Sequence, residues 1–131
     1  MKLAAIGLII TASTIASADI IKCSFTEPFI GATYSTTTNE LKISEFDGNG
    51  EVTRIIKNVS FQIKGAGEFE LLSQKGSKIM SLKITNEASD GMSNIIFPIE
   101  SKFAYRSGEL VGGCSSNFLK ADRSQEDPDH N

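Results

Sequence analysis

The chain of 131 residues has no tryptophan, one histidine and two cysteines. Each scarcity removes a class of chemistry. His130 is the sole imidazole and stands one residue from the end, in an acidic tail, so a Ser-His-Asp or Cys-His arrangement has no base to draw on. Zinc catalysis lacks ligands for the same reason, and neither cysteine has a second cysteine or histidine beside it to form a metal site. No glycine loop of the G-x-x-x-x-G-K-[ST] kind is present to cradle a phosphate. The 13 Lys and Arg residues never cluster into a run, which leaves no electrostatic footprint for nucleic acid. No cofactor is expected. Helical periodicity is missing too, since nothing beyond the first residues keeps a 3.6-residue apolar period over three turns.

What the N-terminus does have is an export signal. Lys2 supplies a positive start, Leu3 to Ile10 carries no charge, and Ala16-Ser17-Ala18 is the small-x-small pattern that signal peptidase accepts. The apolar run is too short to span a bilayer as a stable helix. A lipoprotein would carry cysteine at the cleavage site, whereas Cys23 lies further on, so no membrane anchor is expected. Residues 1–18 are read as a signal peptide, 19–120 as one small domain and 121–131 as a disordered acidic tail. The whole chain carries 16 Asp and Glu and a net charge of −3, which loss of Lys2 takes to −4.

Two cysteines in an exported chain are expected to pair, with two reduced buried thiols as the alternative. A Cys23–Cys114 bond closes a long loop, worth roughly 4–5 kcal/mol in the chain-entropy account.

Period-two alternation dominates from Ile20 to Ser115. Val59, Phe61 and Ile63 alternate with polar residues, as do Met80, Leu82 and Ile84; Ile99, Phe103 and Tyr105 share a face that Ser101 interrupts. Turn signals separate the runs at D-G-N-G (47–50), G-A-G (65–67), K-G-S (75–77) and R-S-G-E (106–109). About eight strands are predicted near 20–25, 29–35, 40–46, 51–57, 58–64, 68–73, 78–85 and 95–106, followed by a last one near 109–115. Ile55 and Ile56 break the alternation of the fourth. The expected fold is all-β, a small antiparallel barrel closed by a disulfide from first strand to last, with a sandwich as the alternative.

Few residues carry chemistry. Glu27 and Asp90 are the carboxylate pair best placed for acid–base work, but solvated surface carboxylates are the commoner case, and the chain is read as no enzyme. D-G-N-G-E lacks the spaced ligands of a calcium loop. N-V-S at 58–60 fits a glycosylation acceptor but falls in an alternating strand and is read as coincidence.

Two stretches exceed what plain connections need. In S-D-G-M-S, Asp90 is expected to cap its own backbone, Gly91 to supply a left-handed conformation, Ser89 and Ser93 to make similar local bonds, and Met92 to tuck under the loop. Pro98 after Phe97 predicts an edge or a bulge. In C-S-F-T-E-P-F, alternation puts Cys23, Phe25, Glu27 and Phe29 on one side, so Glu27 needs a partner, either backbone N–H groups of the S-D-G-M-S loop or Arg106.

Thr26-Glu27-Pro28-Phe29, Ser89-Asp90-Gly91-Met92-Ser93, Phe97-Pro98 and Gly113-Cys114 together resemble the signature of a family of small exported bacterial envelope proteins of unassigned function. Its members are exported proteins or lipoproteins, sometimes joined to domains of the lysozyme-inhibitor or heat-shock-associated type. Family members often have glycine before T-E-P-F and an aromatic after it; here Phe25 and Ile30 stand there. The resemblance implies an exported envelope protein; with the residue reading, the chain is expected to be a periplasmic or secreted monomer that binds an unknown ligand or envelope protein, with Glu27, Asp90, Ser89, Ser93 and Arg106 as candidate binding residues. The alternative is that both motifs are structural. A second functional reading is a lysozyme inhibitor presenting Gly76-Ser77-Lys78.

Overall fold

The computed structural model describes residues 19–119 except Glu27 and Ser107. The expected signal peptide and acidic tail lie outside the described residues, as does Glu27. Nine strands are present among the described residues: β1 (Ile20–Phe25), β2 (Phe29–Ser35), β3 (Glu40–Asp47), β4 (Gly50–Ile56), β5 (Ser60–Gly65), β6 (Glu68–Leu72), β7 (Lys78–Ala88), β8 (Phe97–Tyr105) and β9 (Gly108–Ser116). They form one antiparallel sheet in the order β4-β3-β2-β1-β9-β8-β7-β6-β5.

The sheet curls into a half-barrel and does not close by hydrogen bonds, which corrects both the closed barrel and the count of about eight. The reason lies in strand direction. Following the antiparallel ladders across the sheet, the two edge strands β4 and β5 run in the same sense. Parallel neighbours need a crossover of about a dozen residues or more, and only 57–59 lie between these two. β5 therefore carries on where β4 ends, so that one bent path pairs first with β3 and then with β6. Asn58 makes the bend with φ of 60°, in a left-handed conformation that asparagine tolerates. The N-V-S asparagine is thus in an exposed link and not in a strand. The bend is tied across the curl, where Val59 N–H donates to Asn39 O at 2.9 Å and the Tyr34 hydroxyl donates to Val59 O at 3.0 Å.

The core follows the alternation. Ile21, Cys23 and Phe25 of β1, Ile30, Ala32 and Tyr34 of β2, Leu41 and Ile43 of β3, and Met80 and Leu82 of β7 are all buried. Ile99, Phe103 and Tyr105 join them from β8, and the interrupting Ser101 is wholly buried among them. The prediction fails on β5. Val59 is buried and Phe61 half-buried, but Ile63 is 72% exposed because an edge strand has no neighbour to cover it. One end of the curl is filled by an aromatic cluster in which Phe61 stacks on Phe69 at 5.3 Å and meets Phe118 edge-on at 5.7 Å. Ser116 Oγ accepts from the N–H groups of Phe118 and Leu119, which folds that last turn inward.

Cys23 and Cys114 form a disulfide. They sit directly opposite each other on β1 and β9, with Cα atoms 4.0 Å apart. First and last strands are neighbours as expected, yet they meet in the middle of the sheet, while the edges lie at β4 and β5. A bonded pair of this kind indicates folding in an oxidising environment.

Candidate functional site

The two singled-out stretches meet. Thr26 Oγ1 donates to the Asp90 carbonyl at 2.9 Å, joining the end of β1 to the loop between β7 and β8. Within the loop Asp90 Oδ1 accepts from the N–H groups of Met92 and Ser93 at 2.9 and 2.8 Å, and Oδ2 accepts from the Ser93 hydroxyl at 2.9 Å. Ser89 Oγ accepts from Gly91 N–H at 2.9 Å. Gly91 has φ of 97° and lies so near Thr26 that a Cβ there would stand 2.7 Å from Oγ1. These donors, the Met92 backbone first, hold the Asp90 carboxyl below its ordinary range, so the loop is fixed around a charged carboxylate.

The remaining motifs join the same assembly. A Cβ on Gly113 would lie 2.5 Å from Phe97 Cδ1, so the Phe97 ring rests on a bare stretch of β9 next to the disulfide. A Cβ on Gly112 would lie 2.2 Å from the Ser24 carbonyl oxygen and 2.5 Å from the Phe25 ring. β7 shifts register between Ile84 and Ala88, opposite Ile99 and Phe97, which is the irregularity that Pro98 predicts. Thr26, Gly91, Phe97 and Gly113, one residue from each motif, thus fasten the loop to the β1–β9 seam.

Beside exposed Ser89, Ser93 and Asn94, the fastened loop offers large apolar side chains to solvent. Met92 is 63% exposed instead of tucked beneath, and Ile95 and Ile96 are exposed with it. Phe29 also differs from expectation. β1 ends at Phe25, and Phe29 starts β2 in the phase opposite the buried Ile30, Ala32 and Tyr34, so it faces outward from the curl while Phe25 faces inward. It pairs with Phe46 of β3, and both rings are about half exposed. A groove of about 430 Å³ runs between these rings and the loop, with Thr26, Asp90, Met92 and Ser93 on its other wall.

Arg106 is not brought to this loop. It lies at the β8–β9 turn with φ of 54°, and its guanidinium donates to Glu45 Oε1 at 2.8 Å. The Tyr105 hydroxyl donates to the same oxygen. That hydroxyl first, then Arg106, holds the Glu45 carboxyl below its ordinary range, with a smaller contribution from Arg54. The guanidiniums of Arg106 and Arg54 lie 5.0 and 5.8 Å from the centre of the Tyr105 ring. This cluster was missed in the sequence. Its one local signal is Glu45 occupying the inward phase set by Leu41 and Ile43.

Gly76-Ser77-Lys78 closes the β6–β7 connection in a tight turn. Gly76 N–H donates to Ser73 O at 2.9 Å, Ser77 N–H to Ser73 Oγ at 3.1 Å, and Lys78 lies 3.9 Å from Glu70. No family model, curated protein or solved structure matches the chain. The resemblance of the four motifs rests on those residues alone.

Proposed function

We propose that this is a non-enzymatic binding module of the bacterial envelope, exported to the periplasm or beyond, whose partner surface is the groove between Phe29, Phe46 and the S-D-G-M-S loop. One observation carries the reading. The motif residues spend their hydrogen bonds and packing on holding the loop still, while Met92, Ile95 and Ile96 are held out in water. Apolar side chains left exposed on a fixed frame mark contact surfaces, and a pre-ordered loop costs less entropy to bind than a mobile one. On this reading Asp90, Ser89 and Ser93 act by shaping the loop, and the apolar residues beside them make the contact.

The test is native mass spectrometry of the protein purified from a periplasm, compared with a Met92→Ser, Ile95→Ser, Ile96→Ser variant. A retained ligand or protein adduct that the variant loses supports the proposal. A bare wild type, or an adduct that the variant keeps, overturns it. The lysozyme-inhibitor reading has one observation in its favour, the rigid exposed turn that Ser73 builds under Ser77. Undiminished lysozyme activity at excess protein disposes of it.

A further inference from the structure

The concave side of the sheet holds a second site, independent of the groove. A cleft of about 400 Å³ opens among Ile43, Glu45, Val52, Arg54, Tyr105 and Arg106. The inward phase of β3 and β4 supplies four of these, since Ile43 pairs with Arg54 and Glu45 with Val52. Tyr105 closes the run of buried β8 residues, its ring packing on Phe103 at 5.3 Å.

The charges in this cleft do not balance. Glu45 is matched by Arg106, and the Tyr105 hydroxyl is bonded to the same carboxylate oxygen. Arg54 has no ion pair among the described residues; it stands over the face of the Tyr105 ring and acts on the Glu45 charge only at longer range. Tyr105 is itself pinned at its hydroxyl by Glu45, so the surface beneath Arg54 is fixed. A guanidinium carries five N–H donors and no acceptor. Here it stands over an aromatic face beside Ile43 and Val52, with one positive charge in excess, in a protein whose net charge is negative.

We infer that this cleft binds a small monocarboxylate with an apolar body, the carboxylate taken by Arg54 and the unused donors of Arg106, the body lying on Ile43, Val52 and the Tyr105 ring. A cation entering here meets two guanidiniums against one carboxylate. A neutral apolar molecule leaves the Arg54 donors unmatched when it displaces their water, which is the penalty that gives polar sites their selectivity. A planar carboxylate suits the guanidinium fork.

The test is a ¹⁵N NMR titration of the oxidised protein with benzoate, octanoate, inorganic phosphate and benzyl alcohol, read at the amides of Ile43, Val52, Arg54 and Tyr105. Benzoate or octanoate is expected to give saturable shifts at those amides, with benzyl alcohol and phosphate at least tenfold weaker. Arg54→Gln, on an exposed edge strand, is expected to weaken the carboxylates at least tenfold with the melting temperature unchanged, and Arg54→Lys to restore part of the affinity. Absence of saturable shifts at these amides overturns the inference. So does benzyl alcohol or phosphate binding as tightly as the carboxylates, or Arg54→Gln binding them like the wild type.

Discussion

Gly91 and Thr26 are in contact so close that the glycine has no room for a side chain. A Cβ would stand 2.7 Å from Thr26 Oγ1, the oxygen that donates to the neighbouring Asp90 carbonyl at 2.9 Å. The loop is thus clamped at its tightest point to the end of β1. Gly91→Ala adds backbone strain at φ of 97° to the clash, and is expected to destabilise by about 1–3 kcal/mol. Thr26→Val removes the hydroxyl and keeps the shape, for about 1 kcal/mol. Urea unfolding gives both values. Hydrogen exchange at Met92 and Ser93 is expected to quicken in each variant.

The disulfide bridges 91 positions of sequence. Replacing Cys23 and Cys114 together by alanine is expected to cost roughly 2–4 kcal/mol, a large share of the net stability of a domain this size. A fall in the urea midpoint, with a steeper slope because the uncrosslinked denatured chain exposes more surface, checks this. An unmoved midpoint counts against the bond as a major stabiliser.

Ser101 buries a hydroxyl oxygen with no hydrogen-bond partner among the described residues, in the middle of the β8 core face. Removing an unsatisfied buried group without changing the shape around it is favourable. Ser101→Ala is expected to gain about 1 kcal/mol and to raise the melting temperature by about 4–8 °C. A lower melting temperature contradicts it.

Acid sensitivity follows from two carboxylates held below their ordinary values, Glu45 below 4.5 and Asp90 below 3.8. A folded-state pKa below the unfolded one means that the unfolded chain binds protons first as pH falls. The stabilisation is therefore full above the ordinary values and disappears as pH drops through the folded ones. Glu45→Gln is expected to melt below the wild type at pH 7, with the gap closing as pH falls below the ordinary carboxylate range. Because Glu45 is reached by solvent, added salt is expected to narrow the gap at pH 7. A gap that persists in acid would place its origin in packing.

The strands and the loop were legible because their causes are local. Alternation around Met80 and Leu82, the capping geometry of Asp90 and the left-handed requirement at Gly91 each act within a few residues. The rest depends on distant partners. Glu45 and Tyr105 are 60 positions apart, and nothing near either announces the other. Ile63 alternates correctly and is exposed all the same, because its strand falls at an edge. Met92 turns outward because the bonds made by its own backbone fix the loop's direction. The two isoleucines that break the pattern at 55 and 56 lead straight into the bend where the sheet fails to close.

The seam between β1 and β9 divides the domain into two meanders, β1–β4 and β5–β9, each made of hairpins between successive strands. Asn117 and Ile20 meet there, with Ile20 N–H donating to the Asn117 side chain at 2.8 Å. A circular permutant that joins residue 119 to residue 19 through a short linker and opens the chain at 57–59 would place its strands in the order they hold in the sheet. Each ladder would then be a hairpin or a short connection. Such a chain has little loop entropy to overcome before its contacts form and is expected to fold faster than the natural order. Its disulfide would close only a small ring, so the same covalent bond would contribute much less. The value of the cysteine pair therefore comes from where the chain is cut.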